Sequence, residues 1–310
     1  MKKIVVAALG LIMLAIGFLH IFIPNIITLK SSAAIKVTQK GLHRILLDKQ
    51  SMAKWWPGSV INDSFYFNGR SYQIYDNIIS LMPINITENN KAIINSSLLL
   101  IKIDTDSVKL EWLGNYISSY NPIYRLSAYF KAKDINNDMN TILQKIQQYY
   151  SLPKNIYNCT IQEEQVVEAN LISTSGKCKD YPSNTFIYSL INKLDVYANQ
   201  QQTKITGYPM LNIEFTDSAN YLVRVAVPLK KVIPQSRDIL QKRMLQNGNL
   251  LVTEIKGGNF KTSEAYKQII IYANDYERNT PAIPFYSLIT NRLKETDSTK
   301  WITKIYCPVM

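Results

Sequence analysis

Hydrophobic and polar positions alternate with different periods along the chain, and the changes of period mark its parts. Ile4–Ile23 is a 20-residue run, apolar throughout except for His20. That is about the length a helix needs to cross a bilayer core. Pro24 and Asn25 stop it. Ala33–Gln39 then alternates as a half-buried strand does, and Leu42, Ile45 and Leu46 sit at helical spacing before Trp55-Trp56-Pro57-Gly58 breaks the pattern. Strand-like runs come next over Ser64–Asp76, Asn77–Thr87, Ala92–Asp104 and Val108–Leu113, with turns at Asn89-Asn90, Thr105-Asp106 and Gly114-Asn115. Tyr124–Ala132 reads as one more strand. From there the period is helical: Ile135, Met139, Ile142, Leu143, Ile146, Tyr149 and Tyr150 share a face, with Asp134 as N-cap.

The C-terminal half states one pattern twice. A helix near Ser183–Asn199 leads to strands Tyr208–Phe215 and Tyr221–Leu229; a helix near Ser263–Asp275 leads to Ile283–Thr290 and Trp301–Val309. A proline opens the first strand of each copy (Pro209, Pro284, 75 residues apart), and another punctuates the last (Pro228, Pro308, 80 apart). A strand region precedes each copy, Cys159–Cys178 and Leu250–Ile255, and the turns Asn247-Gly248 and Gly257-Gly258 bracket the second. Duplicated units bury their faces against each other, and the seam between them is a natural small-molecule cleft. The expected class is α+β. The expected organisation is a transmembrane anchor over 1–30, a first domain over 31–150, a connector at Ser151–Tyr157, and a second domain over 156–310.

Charge adds an orientation. Lys2 and Lys3 stand before the apolar run and only Lys30 soon after it, which predicts a single pass with the N-terminus inside and the rest outside the cytoplasm. The alternative is a signal peptide cleaved near Ser31-Ser32-Ala33-Ala34, giving a secreted or periplasmic protein. The net charge of +12 is spread out: 3 basic and no acidic residues in 1–30, 13 against 9 in 31–150, and 19 against 14 in 151–310. Lys230-Lys231 and Lys242-Arg243 are the densest basic spots and read as a solvated face, so no nucleic-acid partner is expected. Cys159 and Cys178 either pair or remain, with Cys307, free buried thiols. With only His20 and His43 in the chain, a zinc site or a Ser-His-Asp triad is not expected, nor is any other metal or cofactor.

The order strand, short helices ending in Trp-Trp, meander and long helix, together with ILLDKQSMAKWWPG, resembles the START-like/polyketide-cyclase (SRPBCC) superfamily. That resemblance implies a helix-grip antiparallel sheet wrapped on a long C-terminal helix, with an apolar cavity for lipid or another hydrophobic ligand. Residues 156–310 resemble the gyrase-inhibitor-like domain, the effector-binding domain of AraC-type and multidrug-responsive regulators. The paired strands, the Gly-Gly turn, Pro284-Phe285 and the ending from Trp301 to Val309 carry this likeness. It implies two β-α-β-β units around a cleft that takes hydrophobic, often cationic, compounds with the help of an acid in the last strand. Here the corresponding position is Lys304, which puts cation recognition and any acid-dependent hydrolysis in doubt. Glu214 either pairs with Lys304 across the seam, or both face solvent.

The candidate ligand-binding residues are Tyr208, Met210, Glu214, Phe285, Tyr286, Trp301, Lys304 and Tyr306; no catalytic residue is assigned. The expected function is a membrane-anchored, non-catalytic receptor for a small hydrophobic or amphiphilic ligand. The alternative is a hydrolase or cyclase using pocket tyrosines or Glu214.

Overall fold

The computed structural model describes residues 2–62, 64–167, 169–216 and 219–310; within the first helix it describes the side chains of Ile4 and of residues 9–22. The chain divides into two units, Met1–Leu152 and Pro153–Met310.

Unit 1 runs α1 (Lys2–Phe22), β1 (Ile26–Ile35), α2 (Gln39–Leu47), α3 (Lys49–Ala53), β2 (Ser59–Ile61), β3 (Ser64–Phe67), β4 (Arg70–Ile74), β5 (Leu81–Glu88), β6 (Lys91–Asp104), β7 (Ser107–Ile117) and α4 (Pro122–Tyr150). Its seven strands form one sheet in the order β1-β7-β6-β5-β4-β3-β2, every pair antiparallel. The sheet is helix-grip-like, curling over α4. Local chemistry sets the boundaries. Thr38 Oγ1 accepts the Gly41 amide at 3.1 Å and starts α2, and Asp48 Oδ1 accepts the Gln50 amide at 3.0 Å and starts α3. The β3–β4 hairpin closes on Asn68 and Gly69, both at positive φ (49° and 76°), the pairing such tight hairpins demand.

Tyr124–Ala132 is helix, not strand. Asn121 Oδ1 accepts the Ile123 and Tyr124 amides at 3.0 and 3.4 Å, and Pro122 fits the first turn, so α4 begins well before Asp134. Arg125, Ala128, Ala132, Ile135 and Met139 are among its buried positions, a helical spacing masked in the sequence because the larger apolar Leu126, Tyr129 and Phe130 between them face outward. The interior below α4 is filled by large side chains, among them Tyr72, Met82, Leu98, Trp112 and Tyr150. Asp138 is buried with them, taking bonds from Asn68 Nδ2 (2.7 Å), Arg70 Nη1 (2.5 Å) and Tyr72 Oη (3.1 Å). Burial, then the Asp138 charge, raises the Tyr72 phenol well above its ordinary range.

The expected anchor is not upheld. α1 is a helix, but among the described residues no helix is long and apolar enough to cross a membrane. The C-terminal end of α1 is also tied down by polar bonds: His20 Nε2 lies 3.1 Å from the Tyr120 carbonyl, and Arg125 Nε donates to the Ile23 carbonyl at 2.7 Å. The membrane-anchored function, the single-pass localisation and the membrane as a partner fall with the anchor. The orientation argument from Lys2 and Lys3 lies outside the described side chains.

Unit 2 runs α5 (Lys154–Tyr157), β8 (Gln162–Gln165), β9 (Asn170–Cys178), α6 (Asn184–Gln200), β10 (Met210–Thr216), β11 (Asn220–Pro228), β12 (Leu240–Arg243), β13 (Asn249–Lys256), α7 (Asn259–Asp275), β14 (Phe285–Leu288) and β15 (Ile302–Val309). Its eight strands lie in the order β12-β9-β11-β10-β14-β15-β13-β8. The units β9-α6-β10-β11 and β13-α7-β14-β15 therefore meet at β10 and β14, where Met210 faces Ser287 and Leu211 faces Tyr286. One short edge strand extends each half, β12 on β9 and β8 on β13. Ser183 Oγ accepts the Phe186 amide at 3.2 Å and starts α6; Gly257, at φ 145°, makes the turn into α7.

Both helices cover the same face of this sheet. Ile187, Leu194 and Ala198 of α6 pack on Ile172, Leu211, Val223, Val225 and Val227. Ala265, Ile269 and Ala273 of α7 pack on Leu251, Ile305, Cys307 and Val309. Each fully buried aliphatic side chain in these layers contributes about 1.5–3 kcal/mol. All three cysteines are free thiols, and burial pushes the Cys307 thiol up to about 11.

Candidate functional site

Side chains alternate across a strand, so the residues between the core positions point away from the helices. In the first half of unit 2 the register on that open face sets Leu171 opposite Pro228, Ser173 opposite Ala226, and Ser175 opposite Arg224. In the second half it sets Leu250 opposite Pro308, Val252 opposite Tyr306, and Glu254 opposite Lys304. The halves align on their terminal prolines, which makes Ala226 the counterpart of Tyr306 and Arg224 the counterpart of Lys304.

Side-chain size separates the two open faces. In the second half the face is filled: Val166, Leu250 and Val252 are buried together, with Met244 and Tyr306 packed on them. Tyr306 stacks on Phe285 at 5.1 Å between ring centroids. In the first half the smaller Ser173, Ser175 and Ala226 leave room, and a cavity of about 950 Å³ opens there. Leu171, Met210, Ala226, Phe285 and Pro308 give it apolar walls; Arg224, Lys242 and Arg243 give it a basic rim.

The polar groups around the cavity are held in place. Arg224 Nη1 reaches Glu214 Oε2 at 2.5 Å and Asn212 Oδ1 at 2.8 Å, and Asn212 Nδ2 donates to the Pro284 carbonyl at 3.1 Å. At one edge Lys193 Nζ donates to Asp238 Oδ2 at 3.0 Å and holds that carboxyl below its usual range. Asp238 is the acidic residue among the described side chains lining the cavity.

Of the eight sequence candidates, Met210 and Phe285 line the cavity, and Tyr306 adjoins it through its stack on Phe285. Burial, then the Glu164 and Glu254 charges, pushes the Tyr306 phenol up to about 12. Tyr208 is exposed before β10. Tyr286 points to the helix side, against Tyr266, where burial raises its phenol above the ordinary range. Trp301 is buried under the Arg292 guanidinium, 4.6 Å from its ring centroid, and donates to the Glu295 carbonyl at 2.8 Å. Glu214 and Lys304 do not meet. Glu214 binds Arg224, and Lys304 Nζ lies 3.7 Å from Glu164 Oε1 on β8.

Sequence reasoning missed Leu171, Ser173, Arg224, Ala226 and Lys242. The lone cation in YLVRVAVPL signalled Arg224, and alternation then placed Ala226 on the same face. In unit 1, Trp55 and Trp56 border a hollow of about 510 Å³ with Lys145 and Tyr149. Their indole N–H groups are already spent, on Tyr150 Oη at 2.8 Å and on the Tyr66 carbonyl at 3.0 Å.

No family model and no curated protein matches the chain. Among solved structures it is similar to EcmrR in complex with DNA (17% identity over 62% of this chain and 72% of that one, TM-score 0.43). It is also similar to a hydrolase from Listeria innocua (11%, 49% and 92%, TM-score 0.37). A third likeness is to the Zhui aromatase/cyclase from Streptomyces (8%, 42% and 95%, TM-score 0.30). Scores and identities this low fix neither family nor activity. By its own element order and topology the chain joins a seven-stranded antiparallel sheet with a long C-terminal helix in unit 1 to two β-α-β-β units in one eight-stranded sheet in unit 2.

Proposed function

We propose that unit 2 is a non-catalytic receptor domain that binds a small hydrophobic or amphiphilic molecule in the cavity of its first half. On this reading residues 156–310 are a gyrase-inhibitor-like module, and residues 31–150 a START-like module before it. Met210 and Phe285 touch the ligand directly, and Tyr306 supports Phe285. The observation that carries the reading is the cavity itself. Its volume of about 950 Å³ falls in the range of about 300–1,000 Å³ typical of ligand sites, and it joins apolar walls to a few fixed polar groups. A carboxyl that serves as a general acid at neutral pH needs a raised pKa, whereas Lys193 pulls that of Asp238 the other way.

Differential scanning of the full chain against decyl maltoside, decanoate and decyltrimethylammonium, each below its micelle threshold, tests the proposal. A melting temperature that rises with the concentration of at least one probe is the expected result. No rise with any of them overturns it.

A further inference from the structure

The two halves of unit 2 place the same charge in the same position and surround it differently. Arg224 and Lys304 each stand four residues before the proline that ends their half. Lys304 has two carboxylates around it: Glu254 faces it across the ladder, and Glu164 lies 3.7 Å away. In the first half the residue facing Arg224 is Ser175. The edge strands differ in the same sense. β8 sets Glu164 opposite Leu250, and β12 sets Lys242 opposite Leu171, the counterpart of Leu250.

An edge position that is a carboxylate in one half is therefore an ammonium in the other. Arg243 comes directly after it and lines the cavity as well. Glu214 answers Arg224 at 2.5 Å, but among the described residues neither Lys242 nor Arg243 has an ion pair. Cations gathered at the mouth of a low-dielectric hollow make its potential positive and attract an anion to it. The second half, neutralised and filled, has no such feature.

We propose that the cavity takes an amphiphile with an anionic head, a carboxylate, sulfate or phosphate seated against Lys242, Arg243 and Arg224. Its tail lies along Leu171, Met210, Ala226 and Phe285. This assignment rests on the ligand-binding function proposed for unit 2 and inverts the cation preference that the family resemblance implies.

The test is calorimetric titration of the full chain at low ionic strength with decanoate, decyl maltoside and decyltrimethylammonium, which share one tail length. Decanoate is expected to bind about tenfold or more tighter than the ammonium probe, with the gap closing as salt is added. Lys242→Glu, which copies the second half, is expected to narrow the gap to about threefold or less and to change decyl maltoside binding less than decanoate binding. Equal affinity for all three probes, or a preference for the ammonium probe, overturns the anionic assignment while leaving the cavity a binding site. Binding of none removes both. Lys242 is exposed on an edge strand, so the variant is expected to melt with the parent. Should it not fold, the ranking of the three probes on the unaltered protein decides alone.

Discussion

The two halves of unit 2 share one framework and differ on one face. On the helix side Leu194 and Ile269 both lie fully buried, each over an apolar layer from its own three strands. On the open side Ser173, Ser175 and Ala226 stand where the other half has Val252, Glu254 and Tyr306. Folding needs both helix faces to be packed, so that side changed little in kind. The open faces carry no such demand on both halves at once. One was closed with larger side chains and a cluster of one cation and two carboxylates, leaving the other hollow and basic. A duplicated fold can thus keep one copy as scaffold and use its twin as a site.

The largest expected effects test the shared part of this comparison. Leu194→Ala and Ile269→Ala each remove a fully buried aliphatic side chain and are expected to cost about 2–5 kcal/mol in urea unfolding of the full chain. Similar losses mean that the helix layers are equivalent; a loss under about 1 kcal/mol at one of them breaks the equivalence.

Ala226→Tyr tests the difference. It gives the first half the residue of the second and fills the cavity with a ring. Affinity for whichever decyl probe binds is expected to fall about tenfold or more in calorimetry, since the floor of the site is lost. Melting should move less than in the two core variants, because the new side chain enters an existing void. Undiminished binding would put the ligand elsewhere and end the account of why the halves diverged.

Tyr306 supplies a pH effect that its counterpart Ala226 lacks. Its phenol rises from an ordinary 10.0 to about 12 in the folded chain, mainly by burial and then by Glu164 and Glu254. The folded state holds that proton more tightly than the unfolded one. The resulting stabilisation is complete below pH 10.0 and is lost as pH climbs toward about 12. Tyr306→Phe is expected to flatten that alkaline decline in melting temperature, and one late-titrating phenol should vanish from the phenolate absorbance curve. Identical alkaline curves for parent and variant would contradict the packed state of the second half.

The helix layers were legible from sequence because apolar stripes at Ile187, Leu194 and Ala198 and at Ile269 and Ala273 survive any choice of register. The hollow was not. It depends on β12, a four-residue strand with no alternation long enough to read, pairing with β9 across a long stretch of chain. Without that pairing, Lys242-Arg243 looks like a solvated pair. The sequence left Glu214 and Lys304 either paired across the seam or facing solvent; Glu214 instead pairs with Arg224 on the adjacent β11, and Lys304 with Glu164 on β8, beyond β13. Tyr124–Ala132 misled because small buried residues, Ala128 and Ala132, carry the helical period there while large ones face outward. The anchor rested on the length and apolar content of Ile4–Ile23, but no helix among the described residues has the length and apolarity to cross a membrane.

The smallest expected effect is also the most specific to charge. Glu214 and Arg224 form a half-exposed pair, and such pairs contribute about 1 kcal/mol or less because solvent screens them and their side chains lose freedom. Glu214→Gln is therefore expected to change urea stability by less than about 1 kcal/mol. It keeps the shape of the site, and Asn212 Oδ1 still accepts from the same Arg224 Nη1. What it removes is the charge that answers Arg224 beside the cavity. With that charge gone the rim is more positive, and decanoate affinity is expected to rise by about two- to fivefold at low salt while decyl maltoside affinity stays put. A rise shared by both probes would mean that Gln altered the shape of the cavity rather than its field. No rise for decanoate would mean that Arg224 lies too far from the anionic head to sense it, leaving Lys242 and Arg243 as the groups that set the half-to-half contrast.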